Sequence, residues 1–122
     1  MYGRKTAKFH VQVEIVSLEK PGYFPATIQL EGRLIKIFRD NENQLTIGDT
    51  ITFPIEVTDE GAFIPEGATL WTYYKNISSA RFMEAFLNGE PPDLEIELWQ
   101  KVIIPSASEK PYMIVKDDYA EW

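Results

Sequence analysis

The run from Ala26 to Asp40, ATIQLEGRLIKIFRD, restricts the fold more than any other part of the chain. Ile28, Leu30 and Leu34 point to one side of an extended strand, while Thr27, Gln29, Glu31 and Arg33 point to the other. That period of two marks a half-buried strand. Gly32 takes an apolar-side position where a side chain is expected, and a glycine inside a strand marks a bend, a bulge or a close backbone approach. Ile35 and Ile37 are apolar as well, so the alternation slips by one residue near Leu34, as an inserted bulge residue makes it do. A long strand bent midway serves two sheets of one small barrel. The predicted fold class is therefore mainly β, a small barrel of five to six strands.

The remaining segments fit around this strand. Phe9, Val11, Val13 and Ile15 alternate with His10, Gln12 and Glu14, which predicts a strand with its core face on odd numbers. Pro21-Gly22 is a turn signal, and Tyr23 and Phe24 on the same loop either close a barrel end or face a ligand. Ile51, Phe53, Ile55 and Val57 alternate with Thr52, Pro54 and Glu56; Pro54 cannot donate to a ladder, so a free edge or a bulge is expected there. A short aromatic strand is predicted over Thr69–Lys75, and a helix over Ser78–Asn88. Ser78 or Ser79 would cap that helix, Phe82, Met83, Phe86 and Leu87 would form its apolar stripe, and Gly89 would end it. Leu94, Ile96 and Leu98 start a further strand that runs to Ile104, Pro105–Pro111 is a loop, and Tyr112–Lys116 reads as a last strand. The domain organisation is a basic, flexible N-terminus at 1–8, one barrel domain at 9–116 and an acidic tail at 117–122.

Three strands, a short strand, one helix and two closing strands make an order that resembles the OB-fold across residues 9–116. The resemblance implies a ligand lying across the second and third strands, flanked by the first-to-second and fourth-to-fifth strand loops. Those outward faces carry Thr27, Gln29, Glu31, Arg33, Thr50, Thr52 and Glu56, none of them aromatic. Tyr23, Phe24 and Tyr112 would then supply the stacking surface, and Arg33, Lys36 and Arg39 the charge. The chain closes on Asp117, Asp118, Tyr119, Ala120, Glu121 and Trp122, a composition similar to the tips of single-stranded-DNA-binding proteins, which recruit partner proteins.

Composition narrows the chemistry. The formal net charge is −7, and from Asp59 to Glu97 eight acids face only Lys75 and Arg81, which argues against tight nonspecific duplex binding. The absence of cysteine excludes disulfides, thiol nucleophiles and cysteine zinc sites. His10 is the only histidine, no Gly-x-Ser-x-Gly surrounds a serine, and no Gly-Lys-Ser/Thr follows the Gly61–Gly67 segment. Glu95 and Glu97 read as a solvated strand face, and Asp40, Glu42 and Gln44 lack the glycine and terminal glutamate of a calcium loop. The expectation is a cytoplasmic protein with no membrane segment, catalysing no reaction and holding no metal or cofactor. Its partner would be another protein or a second copy, met through the aromatic run at Trp71 and Tyr73 and the edge near Pro54. The alternatives are a single-stranded nucleic acid, with the acidic tip recruiting partners, or an oligosaccharide stacked on Trp71 and Tyr73.

Overall fold

The computed structural model describes residues 6–59 and 72–113. The elements are β1 (Phe9–Leu18), β2 (Ala26–Asp40), β3 (Thr50–Thr58), β4 (Thr72–Tyr73), α1 (Tyr74–Ser78), β5 (Phe82–Glu90) and β6 (Asp93–Ile104). They form one sheet in the order β4-β3-β2-β1-β5-β6. Three strands follow one another by hairpins, and β5 returns across a long connection to lie beside β1, which is a Greek key. The sheet curls until β3 lies against β6, so the architecture is a half-barrel.

Strand alternation fixes the inside. Phe9, Val11, Val13, Ile28, Leu30, Leu34, Phe53, Ile55, Val57, Met83 and Leu87 are buried together on the concave side. Ile77 of α1 is fully buried in the same cluster, so the short helix plugs the core. Gly32 lies opposite Ile15 in the β1–β2 ladder, and a Cβ built on it would stand 2.8 Å from Cβ and Cγ2 of Val13. The need for glycine here is close approach, not an unusual φ. The predicted slip beside Leu34 is present: Val13 pairs with Leu34 and Gln12 with Lys36, which leaves Ile35 as the extra residue. A second extra residue, Phe38, and a third, Val16 on β1, bend the pair further.

Three expectations need correction. The stretch 78–88 is not a helix: α1 ends at Ser78, and Phe82–Glu90 is the strand β5, paired with β1 from Glu14↔Phe82 to Phe9↔Leu87. Met83, Ala85 and Leu87 face the core while Glu84 and Phe86 are buried on the opposite side. Burial of both faces erases the polar half of the alternation and leaves a spacing that a helix also satisfies. Tyr112 and Met113 are not in a strand; they end a segment folded over the outer face, and 114–116 lie outside the described residues. The aromatic strand expected over 69–75 reduces to Thr72–Tyr73, its remainder falling in α1 or outside the described residues.

Candidate binding groove between the sheet edges

β6 closes one side of the curled sheet, and β3 borders the other except at Val57 and Thr58, where β4 covers it. On β2, the Gln29 carbonyl accepts from the Glu19 N–H at 2.9 Å, and the Gln29 N–H donates to Glu19 Oε1 at 2.9 Å. Both backbone groups of Gln29 therefore face the β1 side. Pro54, directly opposite, must turn its own backbone away from β2, toward the uncovered edge. The N–H that proline lacks would have pointed into the space between β3 and β6. Among the described residues no strand pairs with β3 at Pro54 on that side, in line with the expected free edge, and the proline takes one donor out of it.

β6 is bent as well. Ala85 pairs with Lys101 and Leu87 with Ile96, so residues 97–100 stand opposite Phe86 alone. Lys101 shares the face of buried Ala85, and its ammonium is pushed below the ordinary lysine range by burial, with the Glu56 carboxylate pulling it back up. The resulting cleft of about 360 Å³ lies between Thr27, Pro54 and Glu56 on one wall and Glu95, Glu97 and Lys101 on the other. It continues past Pro54 and Glu95 into a shallower space of about 450 Å³ bounded by Gln29, Thr52, Pro92 and Asp93. Thr52, Pro92 and Leu94 then lead to a third recess of about 230 Å³ floored by Leu34, Leu45 and Ile51. Six residue rises separate Thr50 from Glu56, so the track runs about 20 Å along β3. Among the described residues five carboxylates border it, on Asp49, Glu56, Asp93, Glu95 and Glu97, against one ammonium, that of Lys101.

No family model matches this chain, and no curated protein matches it. Its chemistry must therefore be argued from the side chains.

The residues expected to bind do not gather at the groove. Tyr23 is 76% exposed on the first loop, and Phe24 packs against the core with its ring 5.9 Å from that of Tyr74. Neither they nor Tyr112 line the track. Arg33 is bound to Glu14, which Arg81 also meets at 3.1 Å, and these two guanidinium groups hold the Glu14 carboxyl below the usual range against its burial. Lys36 pairs with Glu109 at 2.6 Å, and Arg39 donates to the Ala7 carbonyl at 2.7 Å while lying over the Phe86 ring. The three basic residues are thus distributed over salt bridges and a backbone contact instead of forming one positive strip. Tyr73 is half-exposed on β4; Trp71 and the tip residues Asp117, Asp118, Tyr119, Glu121 and Trp122 lie outside the described residues. Thr27, Gln29, Thr52 and Glu56, from the outward faces of the second and third strands, do border the groove. Asp40, tested above as the start of a calcium loop, instead caps its own turn, accepting from the N–H groups of Gln44 at 3.0 Å and Leu45 at 2.8 Å. Among the described residues no cluster of three or more histidine, aspartate or glutamate side chains could hold a metal ion.

A second polar centre was missed in the sequence. Glu84, on the outer face of β5, is fully buried, and so is Gln12; His10 is 3% exposed. The Glu84 carboxylate accepts from Gln12 Nε2 at 2.8 Å and from the Tyr112 N–H at 2.8 Å on one oxygen. On the other it meets His10 Nε2 at 2.8 Å and accepts from the Met113 N–H at 2.7 Å. Burial alone would raise this carboxyl, but the four hydrogen bonds outweigh it and hold Glu84 below the ordinary range. The His10 ring stacks on Phe86 with centroids 3.8 Å apart, so the histidine lies on the even-numbered face of β1 as expected, but buried there. The available signal was the run of polar residues at His10, Gln12 and Glu84, which carries no mark of burial until the segment covering it is known.

Proposed function

We propose that the chain is a non-catalytic binding module that grips an extended, positively charged segment of a partner protein along the β3–β6 groove. The observation carrying this reading is the lining of the track, which among the described residues presents five carboxylates, one ammonium and no aromatic ring. Cationic side chains on an extended peptide would meet Glu56, Glu95 and Glu97, and an apolar residue would enter the recess over Leu34 and Ile51. The strand order and the helix placed ahead of the last two long strands favour an OB-like barrel. The groove's position across β2, β3 and the β5–β6 hairpin is where such a barrel takes its ligands. Nucleic acid is the weaker reading, because phosphates would meet carboxylates along the described lining.

The test is fluorescence anisotropy of the full chain with three labelled probes: a lysine-rich peptide containing one leucine, its glutamate counterpart, and a single-stranded oligonucleotide. Binding of the basic peptide alone, weakened at least tenfold by the double variant Glu56→Lys/Glu95→Lys, is the expected result. Preference for the oligonucleotide, or unchanged peptide affinity in the double variant, overturns the proposal.

A further inference from the structure

Residues 105–113 leave the end of β6 and cross the outer face of β5 and β1 as far as β2. Six of these nine residues are exposed, namely Pro105, Ser106, Ala107, Glu109, Lys110 and Tyr112. Only Met113 is buried, in a small cluster with Ala7 and Phe86 that is separate from the main core. What holds the segment is polar. The Ser108 N–H donates to Gln12 Oε1 at 2.9 Å, Gln12 Nε2 reaches Ser108 Oγ at 3.0 Å, and Lys36 meets Glu109. The two successive N–H groups of Tyr112 and Met113 close on the two oxygens of Glu84.

We infer that residues 105–113 form a strap that clips onto the Glu84 carboxylate and opens as a unit of its own, without unfolding of the half-barrel. The argument is a comparison of what each part buries. The half-barrel is held by a continuous apolar cluster spanning β1, β2, β3, β5 and α1, together with full ladders. The strap contributes one buried apolar side chain, so its closure depends on acceptors supplied by Glu84 and Gln12. Segments with few buried apolar contacts open at a small fraction of the global free energy. Opening exposes a slot containing Glu84, Gln12 and His10, which reads main-chain N–H groups and not side chains. The charged and titratable groups around that slot are His10 on β1, in contact with Glu84, Lys36 on β2, paired with Glu109 of the strap, and Arg39 on β2, which donates to the Ala7 carbonyl.

Hydrogen exchange of the full chain decides it. In the wild type the amides of Ser108, Tyr112 and Met113 should be protected, yet exchange faster than those of Val11, Leu30 and Phe53. In Glu84→Gln, where one acceptor oxygen becomes a donor facing N–H groups, they should exchange about ten- to a hundredfold faster. The three core amides should stay slower than the strap amides in the variant too, since the loss of bonds at Glu84 raises the closed state relative to both openings and strap opening remains the lower of the two. Strap amides exchanging at the core rate in the wild type would overturn the inference, as would a Glu84→Gln variant that leaves them unchanged or fails to fold.

Discussion

Gly32→Ala is the sharpest test of how β1 and β2 meet. The new Cβ would stand 2.8 Å from Cβ and Cγ2 of Val13 and 3.3 Å from its Cγ1, where carbon atoms normally rest about 3.5–4.0 Å apart. Val13 is 1% exposed, and its Cβ is fixed by the backbone, so no rotamer change relieves the contact. One strand must shift against the other, and overpacking of this kind costs about 1–3 kcal/mol. For a chain of this size that lowers Tm by about 3–5 °C per kcal/mol, hence roughly 3–15 °C. Thermal and urea unfolding followed by circular dichroism would measure it, with Gly22→Ala as the control. A Cβ at Gly22 meets nothing within 4 Å, and that variant should stay within about 0.5 kcal/mol of the wild type. Val13→Ala in the Gly32→Ala background should restore part of the loss, because it removes both γ carbons and leaves the Cβ contact. A Gly32→Ala protein melting within a degree of the wild type would refute the close-approach account of this glycine.

Two other outcomes follow from the same structure. Pro54→Thr returns a donor to the uncovered edge of β3 and should increase edge-to-edge association, read as a concentration-dependent rise in sedimentation coefficient; an unchanged monomer would contradict the assigned direction of that backbone. The Glu84, Glu14, Glu90 and Glu109 carboxyls are all held below the ordinary value of 4.5 in the folded chain. Their contribution to stability is fully present above that value and is lost as pH falls through the depressed folded values, so the urea midpoint should drop between pH 5 and pH 3, and a flat profile there would refute it.

β2 and β3 were legible because each has one core face and one more open face, so alternation survives in Phe53–Pro54–Ile55; β1 was legible because its covered outer face still carries polar side chains, as in Val11–Gln12–Val13. The bulge beside Leu34 and the crowding at Gly32 were legible for the same reason: each interrupts a pattern otherwise clear. β5 was not, because a distant segment covers its outer face. Phe86 and Glu84 are buried by residues 105–113, and no local spacing announces a cover that arrives over 20 residues later. The groove was half legible. Pro54 marked the edge, and the outward face of β2 and β3 was located, but the bend at 97–100 that brings Lys101 beside Glu56 has no local signature.

The gap beside Pro54 has a mechanical consequence. A barrel whose ring of main-chain bonds is complete has a fixed girth, and changing it means breaking ladders. Here the two flanks meet without that seal, so the opening can adjust its width by flexing the whole sheet. Side chains of different thickness can then be admitted at the cost of curvature alone.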